Sequence, residues 1–147
     1  MARYTASVEG VASTTSQMAL LQVTAGAQRC GVYGLRVSFK GTSSVDAPVR
    51  VKLARTTTAG TSSGTPTIAS VDSSGVTATA TAQSTFSAQP TLGEILWLME
   101  IHPQTGIGEY IPLGDEFVVP ASGRVAVSVL AGVTVLSTAQ LYWREGH

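Results

Sequence analysis

Charge is scarce in this chain. Nine Lys and Arg face nine Asp and Glu among 147 residues, 12% charged and formally neutral, about half the share usual in a globular domain. Without a basic excess there is no electrostatic footprint for nucleic acid, because attachment to phosphates needs clustered cations. Cys30 is the only cysteine, which excludes an intrachain disulfide and a cysteine-rich metal cluster and leaves a small buried thiol as its reading. No apolar run approaches the ~20 residues of a membrane span, and the start M-A-R-Y-T-A-S-V-E-G lacks the apolar centre of a secretory signal. The expectation is a chain made in the cytoplasm that stays soluble there or leaves by assembly or lysis. Low charge also leaves little to keep free copies apart.

Helical periodicity is missing as well, and alternation takes its place. In Y-G-L-R-V-S-F-K, Tyr33, Leu35, Val37 and Phe39 are expected to point inward, with Arg36, Ser38 and Lys40 outward. V-R-V-K-L repeats this with Val49, Val51 and Leu53, and the G-T-S-S-V-D-A-P between them reads as turn chemistry, so the two are expected to pair as a hairpin. G-R-V-A-V-S-V-L and V-T-V-L-S-T-A-Q-L-Y-W read as a second hairpin turning at Ala-Gly. I-L-W-L-M-E-I is apolar on both faces, hence central or lying against a partner.

Eight to ten short strands spaced by Gly, Pro and Ser turns predict one all-β domain over residues 1–147, an antiparallel sandwich of jelly-roll type. Residues 1–14 read as an N-terminal arm or first strand. Residues 55–92, rich in Thr, Ser, Ala and Gly, read as an extended loop or β-arm.

Catalytic constellations are absent from this reading. G-T-S-S-G at residues 60–64 has the form of a nucleophile elbow, but no apolar strand leads into Ser62 and no helix pattern follows. Glu100 and His102 share a strand face, yet two ligands are too few for a metal site, and H-P-Q-T-G reads as a turn that His102 completes. G-I-G-E-Y-I misses the third glycine of the dinucleotide pattern. The expectation is a protein that is not an enzyme, with no catalytic residue, cofactor or metal. One constellation remains: paired as a hairpin, the strands would gather Arg36, Lys40, Arg50 and Lys52 on one outward face, a docking patch for an acidic protein surface.

The runs V-S-F-K-G-T-S, A-P-V-R-V-K-L-A-R-T-T-T-A-G-T, F-S-A-Q-P-T-L-G, I-H-P-Q-T-G, P-L-G-D-E, G-R-V-A-V and L-Y-W-R-E resemble small virion proteins of tailed bacteriophages, over most of the chain from Tyr4 to Glu145. The resemblance implies a capsid decoration or cement protein, often trimeric, seated on the outside of the virion capsid. Its partners would be the major capsid protein and further copies of itself, with no nucleic acid and no membrane. Arg3, Tyr4 and Phe86 are then candidates for an assembly arm. The alternatives are a tail or neck protein, or a carbohydrate-binding jelly roll on a virion appendage, which would group exposed aromatics on loops or one sheet face. Trp97 and Trp143 read as core, leaving Tyr110 and Tyr142 as platforms.

Overall fold

A residue sequence that alternates apolar and polar side chains must cover one face of each strand, and two sheets do this for one another. The computed structural model describes residues 2–41, 46–72 and 75–146. Among them are twelve strands and no helix: β1 (Ala2–Ala12), β2 (Met18–Thr24), β3 (Cys30–Lys40), β4 (Val49–Thr56), β5 (Thr61–Gly64), β6 (Ala69–Ser70), β7 (Thr81–Ala88), β8 (Leu92–Ile101), β9 (Gly106–Tyr110), β10 (Phe117–Val119), β11 (Arg124–Leu130) and β12 (Leu136–Glu145). Sheet A runs β10-β3-β12-β1-β6 with β9 also beside β3, and sheet B runs β5-β7-β2-β11-β4-β8. The two antiparallel sheets pack as a sandwich.

The core lies where their inner faces meet. Tyr4, Leu35, Val37, Leu141 and Trp143 come from sheet A, and Leu21, Val23, Val51, Leu53, Val125 and Val127 from sheet B. Each fully buried Leu or Val contributes about 1.5–3 kcal/mol. The rings of Tyr4 and Trp143 lie 6.2 Å apart.

Neither expected hairpin forms. β3 and β4 lie in different sheets, as do β11 and β12, and no two consecutive strands are hydrogen-bonded neighbours among the described residues. A period of two says that one face of a strand is buried; it does not say which strand lies beside it. The ladders instead join β1 to β12, β2 to β11, β3 to β9 and β4 to β8. The chain is a ribbon doubled back on itself and rolled so that successive ladders fall in alternate sheets.

Residues 57–91 lie between β4 and β8, at the doubled end of that ribbon. β6 extends sheet A beside β1 (Tyr4 opposite Ser70), and β7 extends sheet B beside β2 (Gln22 opposite Gln83). The far half of β7 leaves β2 and pairs with β5. From Ala88 the chain reaches Leu92 on the opposite edge of sheet B in four steps, about 14 Å at full stretch, whereas four strand spacings are about 19 Å. β7 and β5 must therefore lean across the outer face of sheet B. There Gln22, fully buried, donates to the Ala59 carbonyl at 3.1 Å and accepts from the Thr56 hydroxyl at 2.8 Å. Thr57 N–H donates to the Thr91 carbonyl at 2.8 Å.

The doubly apolar I-L-W-L-M-E-I is β8, at the edge of sheet B. Ile101 is buried and Trp97 packs against the core, while Ile95, Leu98 and Met99 are 50%, 54% and 37% exposed.

Candidate functional site

The outer face of sheet A carries aligned rows of side chains. One row runs Thr5, Tyr142, Gly34, Tyr110 across β1, β12, β3 and β9, and the next runs Ser7, Gln140, Arg36, Gly108. Gly34 thus sits directly between two tyrosines. A Cβ there would lie 3.1 Å from the Tyr110 ring and 3.2 Å from Tyr142, so glycine lets the rings close over the strand, 5.8 Å apart at 48°.

Arg36 fixes the pair from the neighbouring row. Its Nη2 donates to the Tyr110 hydroxyl at 2.6 Å, and its guanidinium lies 5.5 Å from the Tyr110 ring centre and 5.6 Å from that of Tyr142, a cation held against two π faces.

Tyr33 joins them through an irregularity. Tyr142 opposes Gly34, but Trp143 opposes Val32, so Tyr33 is an extra residue in the ladder. The bulge re-aims its side chain: instead of pointing into the core with Leu35, Val37 and Phe39, its ring lies 6.0 Å from Tyr142. Burial raises the Tyr33 and Tyr142 hydroxyl pKa values above the ordinary 10, so both stay neutral phenols at physiological pH.

Hollows flank this ridge of rings. One, of 480 Å³, is lined by Ser7, Glu9, Arg36, Ser38, Thr138 and Gln140, with Gly106 and Gly108 leaving its β9 side open. The other, of 560 Å³, lies past Tyr33 among Arg3, Asp72, Ile111, Pro112, Leu113 and Arg144.

The four cations read from sequence as one docking face are divided between the sheets. Arg36 and Lys40 are on β3 in sheet A; Arg50 and Lys52 are on β4 in sheet B. Arg50 pairs with Glu100 at 3.3 Å, and Lys52 lies opposite Leu98. The patch fails because the hairpin that would have assembled it does not form.

The proposed arm residues are also separate. Arg3 is exposed on β1 and donates through Nε to Asp72 at 2.7 Å. Tyr4 is core, its hydroxyl donating to the Val76 carbonyl at 2.9 Å. Phe86, half-buried on β7, opposes Ser62 of β5.

Ser62 therefore lies in a short exposed strand rather than on a strand-to-helix turn. His102 Nδ1 accepts from Gln104 N–H at 3.2 Å and completes its own turn, while Glu100 is engaged by Arg50. Cys30 is buried, and burial, with Glu145 nearby, pushes its thiol up to about 12. No cluster of three or more His, Cys, Asp or Glu suited to a metal occurs among the described residues.

No family model, curated protein or solved structure matches the chain.

Proposed function

We propose that this chain is a structural protein of a bacteriophage particle, of the capsid decoration or cement class, docking on the outer surface of the shell built by the major capsid protein. The reading begins from the resemblance of its turns and strand ends to small virion proteins. One observation carries it further: β8 presents Ile95, Leu98 and Met99 along an open sheet edge. An edge strand that is long and apolar is a template for another chain, and a formally neutral molecule raises no charge barrier to that contact.

The ladder order supports a jelly roll. Among the eight strands β1, β2, β3, β4, β8, β9, β11 and β12, first pairs with last, second with seventh, third with sixth and fourth with fifth. Such a doubled path is what a double Greek key, the pattern of viral capsid and lectin jelly rolls, would require. On this reading residues 57–91 are an insertion at the doubled end, and copies gather as a trimer.

The test is cryo-electron microscopy of particles produced with the gene intact and with it deleted. Surface density that disappears on deletion is the expected result. An unchanged shell, or loss confined to the tail or neck, overturns the capsid assignment. Attachment through β8 should also persist at about 1 M salt, where the Debye length shrinks to about 3 Å and exposed charge pairs weaken.

The grouping of Tyr33, Tyr110 and Tyr142 on one sheet face favours a second reading, a carbohydrate-binding module on a virion appendage.

A further inference from the structure

A pyranose ring presents a flat patch of C–H bonds and a rim of hydroxyls. The patch packs on the electron-rich face of an aromatic ring, and the rim needs fixed donors and acceptors close by. The outer face of sheet A supplies both. Tyr110 is 54% exposed, and its ring is already held by Arg36, by Tyr142 and by the close approach to Gly34. Little rotamer freedom is left to lose on binding. Beside the rings, hydroxyls of Ser7, Ser38 and Thr138 and the Gln140 amide line a hollow that Gly106 and Gly108 keep open.

Charge selects among sugars. Arg36 forms no ion pair among the described residues and shares its hollow with Glu9. An uncharged hydroxyl-rich ligand finds a donor and an acceptor there, while one cation and one anion together give the hollow no net attraction for an acidic or a basic sugar. Length follows from the second hollow: Arg36 leads to Tyr110 and Tyr142, Tyr142 touches Tyr33, and Tyr33 borders the space beside Ile111 and Leu113. Two hollows on either side of a ridge of rings suit a ligand of several linked units.

We infer that the outer face of sheet A binds a neutral oligosaccharide, with a sugar ring stacked on Tyr110, Tyr142 flanking it and Arg36 holding hydroxyls beside it. The inference rests on the carbohydrate-binding reading and is independent of docking through β8, which belongs to the other sheet.

Protein-observed NMR titration and calorimetry on the full chain test it, with maltohexaose and cellohexaose as neutral probes and hexagalacturonate as the acidic one. At least one neutral hexasaccharide should bind, with shift changes centred on Tyr33, Tyr110 and Tyr142. Tyr110→Ala and Arg36→Ala should each weaken binding about tenfold or more, the loss typical of an anchoring side chain, while Tyr110→Phe should keep most of it. Gly108→Leu is a blocking variant whose Cβ meets the Arg36 side chain only at an ordinary 3.4 Å; it should abolish binding with unchanged thermal unfolding. Silence toward both neutral probes, preference for hexagalacturonate, or binding that survives Gly108→Leu overturns the site. Binding that maps to a different surface would overturn this face while sparing the carbohydrate-binding reading.

Discussion

At the scale of single residues, Glu145 shows how one carboxylate ties distant segments together. Near the end of β12 and buried, it accepts from Thr79 N–H at 2.9 Å, Thr79 Oγ1 at 2.8 Å, Ala80 N–H at 3.0 Å and Trp143 Nε1 at 3.2 Å. Burial opposes its ionisation, but these donors together hold its pKa below the ordinary 4.5. A depressed value means the stabilisation is complete above the unfolded-state pKa and is lost as pH falls through the folded one. Stability should therefore decline as pH drops below about 4.5. Glu116, half-buried, accepts from Gly114 N–H at 2.8 Å and pairs with Arg144 at 2.6 Å; although burial opposes its ionisation, backbone donors and then Arg144 hold its pKa below the ordinary value, so it acts in the same direction. Glu145→Gln turns an NH₂ toward backbone donors and should cost about 1–3 kcal/mol near neutral pH, with a shallower acid decline. Urea unfolding followed by tryptophan fluorescence checks both; equal stability at neutral pH would show that these bonds contribute nothing net.

Among the elements, β8 and the segment crossing sheet B behave differently. β8 shows its apolar side chains at an edge, so Leu98→Lys should leave folding stability within about 0.5 kcal/mol, as for an exposed change, yet reduce the assembly size seen by light scattering at micromolar concentration. A parent chain that is already a monodisperse monomer there contradicts self-association through this edge. The crossing is anchored by polar groups rather than apolar area: Gln22 holds Ala59 and Thr56, and the Gln89 side chain accepts from Ala19 N–H at 2.8 Å. Gln22→Ala strands both partners and should cost about 1–3 kcal/mol. Faster hydrogen exchange should concentrate in residues 57–60. Faster exchange spread evenly over sheet B would show that Gln22 supports the sheet instead of the crossing.

For the whole molecule, the rolled ribbon sets the folding problem. β1 and β12, the first and last strands, must meet, and among the described residues no two consecutive strands pair as a local hairpin to begin the process. With no such hairpin available among them, loop closure precedes any reward from pairing, so refolding is expected in milliseconds to seconds rather than microseconds. Stopped-flow fluorescence measures this, and a microsecond phase carrying the full amplitude would show that a local structure nucleates the fold.

The amino-acid sequence by itself determined the all-β class and most inward faces, because alternation in V-R-V-K-L or L-Y-W decides which side chains leave water whatever strand lies alongside. Its Gly34, Arg36, Tyr110 and Tyr142 were visible as separate residues, and Tyr110 and Tyr142 already as possible platforms. Only the tertiary structure brought them together, since the row Tyr142, Gly34, Tyr110 spans strands far apart in the chain. Tyr33 was misplaced inward because a bulge, set by the register between β3 and β12, leaves no mark on local periodicity. The basic patch dissolved for the same physical reason: which strands pair is decided by long-range packing of two sheets, and a turn-rich linker can close a hairpin or carry the chain across to the other sheet.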